Sequence, residues 1–224
     1  AHDWNVDAMI SGAQQALDYF TTEFSDYQYR QFRIFEFPRY ATFAQSFPNT
    51  IPFSEAIGFT ADLDDEDDLD YVLFVTAHEL AHQWWAHQEV SAHMQGATML
   101  TESFSEYSSL MTMKQNRDPL KMKQFVKYDH DRYLRGRGFE RRKELPLYKV
   151  ENQGYVHYGK GAVVLYGLQE YIGAELVNGA LRAFLDAFRY QEPPYPRSLD
   201  FLEVLEAQTP DSMQYALDQW FREI

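Results

Sequence analysis

Residues 76–85 read Thr76-Ala77-His78-Glu79-Leu80-Ala81-His82-Gln83-Trp84-Trp85. Val72, Phe74, Val75, Leu80, Trp84 and Trp85 would bury much of this segment, and the pattern is helical from about 69 to 86. On a helix, positions i and i+4 share one face, so His78 and His82 can point two imidazoles at one ion. Glu79 can reach a water held by that ion without itself becoming a ligand. This is the physical logic of the H-E-x-x-H pattern, which holds zinc and supplies a general base. The bland alternative is a helix with two unrelated histidines. Buried His and Glu need partners, however, and a metal supplies one.

The chain has no cysteine, so a metal here is held by histidines and carboxylates. A catalytic zinc takes three protein ligands and keeps a position for water. Residues downstream of His82 that can supply the third are His87, Glu89, His93, Glu102 and Glu106. His87 follows His82 by five residues, which rotates it off the metal face, and His93 falls in a loop. Glu102 opens the next helical pattern, and a helix packed antiparallel to the first would bring it to the ion. A third His and Gly at short fixed spacing, the mark of another zinc-peptidase group, is absent.

Composition bounds the rest. The 224 residues include 17% aromatics and 45% hydrophobics, enough for a packed core. The formal net charge of -14 argues against a nucleic-acid surface, which needs cations to neutralise phosphates. No stretch approaches the ~18 apolar residues of a membrane span. The opening Ala1-His2-Asp3-Trp4 reads as the start of a fragment.

Helical spacing covers 6–24, 99–116, 119–134 (ending near Gly136 and Gly138), 157–172, 174–189, 198–207 and 211–223. Residues 29–37 alternate as a strand ended by Pro38, residues 41–56 read as a loop, and 57–60 as a short second strand. The acidic run 62–70 reads as a solvated helix start; a calcium loop is the sharper reading, but the glycine and spacing it needs are missing. The expected fold class is mainly α (α+β), with a small N-terminal sheet.

The motifs resemble those of gluzincin peptidases of the membrane alanyl aminopeptidase type, which includes leukotriene hydrolase. Their pattern is H-E-x-x-H-x18-E followed by a run like E-G-F-A-x-Y; here 19 residues separate His82 from Glu102, and Glu102-Ser103-Phe104-Ser105-Glu106-Tyr107 follows in register. The extra residue is assigned to the connecting loop. Tyr158-Gly159-Lys160-Gly161-Ala162 resembles the family's Y-E-K-G-A run. The resemblance implies a thermolysin-like zincin catalytic domain over 1–224. Residues 1–66 would be a helix, a small sheet and a substrate-edge loop, and 67–224 the helical part with the zinc site. It implies His78, His82 and Glu102 as zinc ligands, Glu79 as base, and Tyr158 as the oxyanion partner. The family's amine-binding string G-x-M-E-N is missing; Glu55, 23 residues before His78, is the candidate for its part. Glu106, one turn past Glu102, is a candidate acceptor for a ligand imidazole, or else an exposed helical Glu. Bacterial relatives fused behind transporter membrane segments are the nearest in texture, around Gln95 to Ser103.

The implied activity is hydrolysis of peptide bonds with zinc as cofactor and a peptide as substrate, with aminopeptidase action expected first. An endopeptidase, and a non-catalytic zinc-binding domain of a membrane transporter assembly, are the alternatives. The full-length protein would then be membrane-anchored with this part outside the cytoplasm; otherwise it is cytoplasmic. The basic stretch Arg132, Arg135, Arg137, Arg141, Arg142 reads as a solvated loop, or a cradle for a substrate carboxylate. His87, His93, His130 and His157 read as surface or packing residues, with His157 next to Tyr158 and able to line the cleft.

Overall fold

The structure is a computed structural model that describes residues 2–63 and 69–224. Residues 64–68, on which both readings of the acidic run rest, lie outside the described residues.

Helix α1 (Val6–Glu23) buries Met9, Ala13, Ala16 and Phe20 and packs against α2 (Tyr71–Ala81). Nearly every residue of α2 is buried, so it runs through the core rather than over it. Asp70 caps it, accepting from Leu73 N at 3.3 Å, and pairs with Arg117 at 2.8 Å. The helix stops at His82 instead of continuing to 86. Gln83 N and Trp84 N each bond a carbonyl three residues back, at 2.9 Å, and Ala86 has φ 147°. The two tryptophans that follow are fully buried, and each indole finds an acceptor: Trp84 Nε1 on Ser25 O at 3.1 Å, Trp85 Nε1 on Ser108 Oγ at 2.9 Å.

Strands β1 (Arg33–Phe37) and β2 (Thr50–Ser54) pair in parallel, Arg33 opposite Thr50 through Phe37 opposite Ser54. The second strand was expected at 57–60; those residues form turns, and β2 lies in the stretch read as loop. Pro48, Asn49 and Pro52 mask it as turn signals. Pro52 has no N–H, but its carbonyl accepts from Gln45 N at 3.1 Å. Residues 43–47 run antiparallel along the other side of β2, with bonds from Ser54 N to Phe43 O and Phe47 N to Thr50 O. The Pro48-Asn49 turn therefore folds the chain back into a ribbon whose outer edge faces α2.

A π-helical turn (Met99–Ser103) leads into α3 (Phe104–Asn116). Helix α4 (Pro119–Phe139) starts at a proline behind the Asp118 cap and runs past Gly136 and Gly138, where an end was expected. Each interior glycine costs about 1 kcal/mol; the last turn is held by Arg137, which pairs with the buried Glu144 at 2.9 Å. A second π-helical turn (Tyr155–Lys160) runs into α5 (Gly161–Ile172), followed by α6 (Ala174–Phe188), α7 (Ser198–Gln208) and α8 (Gln214–Leu217). Phe104, Phe184 and Phe201 meet edge to face and tie α3 to α6 and α7. The molecule is mainly helical with a small sheet near its N-terminus. Among the described residues no helix is long and apolar enough to cross a membrane.

Candidate metal centre and catalytic cleft

Helix α2 supplies His78 and, at its C-cap, His82, and the π turn before α3 brings Glu102 to them. His78 Nε2 lies 3.2 Å from His82 Nε2. Glu102 Oε2 lies 3.3 Å from His78 Nε2 and 3.4 Å from His82 Nε2. The three atoms form a nearly equilateral triangle. A tetrahedron with metal–ligand distances of about 2.0–2.1 Å has edges of roughly 3.3–3.4 Å, so the triangle has the dimensions of one face of such a tetrahedron. Glu102 Oε2 is buried and has no hydrogen-bond donor, as a ligand oxygen awaiting a cation would be.

The other nitrogen of each imidazole is held from behind. His82 Nδ1 lies 3.1 Å from Trp85 O and 3.0 Å from Ser105 Oγ. His78 Nδ1 lies 2.5 Å from Glu106 Oε2, and Arg132 Nη1 reaches Glu106 Oε1 at 3.2 Å. These acceptors hold the Nδ1 side of each ring and leave both Nε2 lone pairs free to take a metal ion. Behind Glu106 lies Asp129, fully buried, its carboxyl raised well above the usual range by burial and by the Glu106 charge. The two carboxyls face each other, and burial together with the Glu106 charge favours the protonated form of Asp129. No periodicity or motif marks this acid; only its opposition to Glu106 across α3 and α4 reveals it.

Glu79 borders the same cleft, its carboxyl raised by burial and lowered again by the two imidazoles. Tyr158 stands across from it, its ring 5.9 Å from that of His78. Burial pushes the Tyr158 hydroxyl far above its ordinary value, so it stays a hydrogen-bond donor. The Arg132 guanidinium lies 4.0 Å from the centre of the Tyr158 ring, a cation–π contact that fixes the ring. Arg132 belongs to α4, within the helical pattern expected over 119–134, and so does not lie in a solvated loop as one reading of the basic stretch has it.

The glycines around Tyr158 are required by packing. A Cβ on Gly159 would lie 2.6 Å from Asp129 O, and one on Gly161 would lie 2.1 Å from Ser103 Oγ. Only bare backbone lets the second π turn approach α4 on one side and the first π turn on the other. Ser103 Oγ donates to His157 O at 2.6 Å, and Lys160 pairs with the buried Glu144 at 2.9 Å. Both π turns therefore carry site residues and touch each other, a setting in which such turns recur.

The cleft has two halves that share Phe43, Ala44, His78, Glu79 and Tyr158. One, of 400 Å³, is walled by Gln45, Ser46, His82, His87, Thr101 and Glu102. The other, of 180 Å³, is walled by Ile57, Tyr71, Phe74, Val75, Tyr128 and Arg132. Gln83, unmarked in the sequence reading, staples the sheet edge to α2: its side chain donates to Ser46 Oγ at 2.7 Å and Phe47 O at 2.9 Å and accepts from Asn49 N at 2.9 Å. The structure does not bring Glu55 to this cleft. Its carboxylate takes Arg39 N at 3.0 Å and lies 3.8 Å from His2 Nδ1, beside Glu36 at the far end of β2. Ser54 ends β2 by bonding back to Phe43, and the chain carries Glu55 away from the metal side. His87 was read as surface or packing and instead lines the polar half. His157 is buried against Tyr158, its ring kept neutral by burial that lowers it to about 4.

The fold and site define a mainly helical metallopeptidase catalytic domain carrying a small sheet. A model of the peptidase family M1 domain matches residues 8–220, and the chain belongs to that family. Probable aminopeptidase 1 of Sulfurisphaera tokodaii is 25% identical over 189 residues, covering 81% of this chain and 24% of that protein. An M1 zinc metallopeptidase from Deinococcus radiodurans aligns with TM-score 0.69 at 19% identity, over 94% of this chain and 43% of that one. A variant of it bound to a Tyr-Ser-Ala substrate aligns with TM-score 0.66 at 18% identity, over 94% and 43%. The chain thus spans about a quarter of the curated relative and under half of the solved chains.

Proposed function

We propose that this chain is the catalytic part of a zinc-dependent peptidase that removes residues from the N-terminal end of peptides. The triangle of His78, His82 and Glu102 carries the reading, because its edges fit one face of a zinc tetrahedron. Zinc bound there supplies Lewis acidity toward the scissile carbonyl.

The remaining steps belong to the chain's own residues. Glu79 takes the proton of the attacking water and passes it to the leaving amine. Tyr158, held protonated and fixed by Arg132, donates to the oxyanion as it forms. Residues 43–47 offer an extended edge along which a substrate can lie as an added strand. Glu106, backed by Asp129 and Arg132, orients His78. The name of the curated relative and the tripeptide in the solved one support removal of N-terminal residues.

A second reading, cleavage within a chain, is favoured by one observation: among the described residues the acids of the polar half are Glu79 and Glu102, both already assigned. The test is metal content together with hydrolysis of Tyr-Ser-Ala and of its N-acetylated form. Zinc-bound protein should cleave the free tripeptide, lose this on chelation and regain it with zinc. Undiminished cleavage after the metal is stripped would falsify the proposal. Cleavage of blocked peptides alone selects the second reading. Zinc bound with no turnover of either peptide selects a non-catalytic zinc domain.

A further inference from the structure

His87 Nε2, in the wall of the polar half, is used by none of the steps above. The atom is buried and has no hydrogen-bond partner among the described residues. A buried polar atom left unpaired is costly, so its placement in a cleft calls for a ligand.

The backbone is bent to put it there. Ala86, at φ 147°, occupies a region that favours glycine. Gln88 N and Glu89 N both turn back onto Trp84 O, at 3.2 and 3.0 Å. The tight turn swings His87 towards residues 43–47, where its ring engages the Ser46 backbone. Gln83 pins that same stretch from beneath. Burial disfavours the protonated ring. With its proton turned to the Ser46 carbonyl, the imidazole presents a lone pair at Nε2.

The surroundings select what can donate to that lone pair. The ionisable groups facing this half are His78, Glu79 and His82 from α2, Glu102 from the first π turn and Tyr158 from the second; residues 43–47 bring none. The two acids are committed to the metal and the reacting water. The other half carries the Arg132 guanidinium paired with Glu106, whose second oxygen is taken by His78, so it offers an amine no free acceptor charge. A peptide's leading nitrogen is therefore best received on the His87 side.

We propose that His87 determines specificity, its Nε2 accepting an N–H from the leading amine of the peptide substrate. A neutral imidazole, rather than a carboxylate, would then anchor the N-terminal end. This rests on the peptidase reading and names how that site knows its substrate.

The experiment uses zinc-loaded Glu79→Gln protein, which binds without turning over, and titrates Tyr-Ser-Ala and N-acetyl-Tyr-Ser-Ala by calorimetry. The free tripeptide should bind about tenfold tighter, the effect of one hydrogen bond to a charged donor. Adding His87→Ala should weaken the free peptide about tenfold and leave the acetylated one unmoved. His87→Gln, whose amide oxygen can accept, should restore part of the preference. Equal zinc content and thermal midpoint across the variants show that the fold is intact. A preference that survives His87→Ala, or no preference before it, overturns the proposal. Turnover distinguishes the two failures: if protein with native Glu79 and zinc hydrolyses neither peptide, the peptidase reading falls, whatever the binding shows.

Discussion

On one side of Glu79 the cleft is walled by Gln45, Ser46, His87 and Thr101, and on the other by Ile57, Phe74, Val75, Tyr71 and Tyr128 with Arg132 among them. The first wall is built from a sheet edge and a strained turn and offers hydrogen-bonding atoms. The second is built mostly from helix faces and sets aromatic and apolar side chains around the Arg132–Glu106 ion pair. In the proposed function, a peptide bound across Glu79 would meet polar recognition of its backbone end on one side and a side-chain slot on the other. On the proposed reading, the difference places the chemistry on the floor both halves share and divides selection between the walls.

Removing a floor residue should therefore silence both halves together. Glu79→Gln should lower kcat by about 10⁴-fold with zinc content unchanged; full activity in that variant removes Glu79 as the base. Tyr158→Phe, which deletes one oxyanion donor, should lower kcat by about 10²–10³-fold with little change in KM. An effect confined to KM would move Tyr158 from the reaction to the wall.

The turn under the polar wall gives the next effect. Glu89 is fully buried, and burial raises its carboxyl from 4.5 to about 7. The folded state holds this proton more tightly than the unfolded chain does. Its contribution is thus complete below pH 4.5 and is lost as pH rises through about 7. The loss amounts to ~3 kcal/mol. Thermal midpoints of zinc-loaded protein at pH 5 and pH 8 should converge in Glu89→Gln relative to wild type; parallel shifts in both proteins would show that another group is responsible.

Arg132→Met gives the smallest effect, and it falls on the aromatic wall. It frees the Tyr158 ring and takes a charge from Glu106 while keeping the apolar stem. We expect about a tenfold fall in kcat and weaker zinc retention in a chelator competition. A change in side-chain preference with kcat intact would instead assign Arg132 to the wall alone.

The metal helix was legible because its information is local. His78, Glu79 and His82 are spaced by helix geometry, and their burial is written in the surrounding apolar residues. The edge of the sheet was not legible, because Pro48, Asn49 and Pro52 signal turns while the tertiary ladder makes Thr50–Ser54 a strand. Linear distance made Glu55 a candidate for the cleft, yet one reversal at Ser54 sends it to Arg39 and His2. His87 was set aside because a continued helix would rotate it off the metal face. The helix does not continue, and the turn at Ala86 brings it back.

By itself the sequence determined the class of helix, the pair of imidazoles on one face and the candidate acids, because residue spacing along a helix fixes direction. Only the tertiary structure decided that Glu102 closes the triangle, that Asp129 and Arg132 stand behind the ligands, and that two π turns meet through Gly161. Those contacts join residues far apart in the chain, and packing, not spacing, sets their distances.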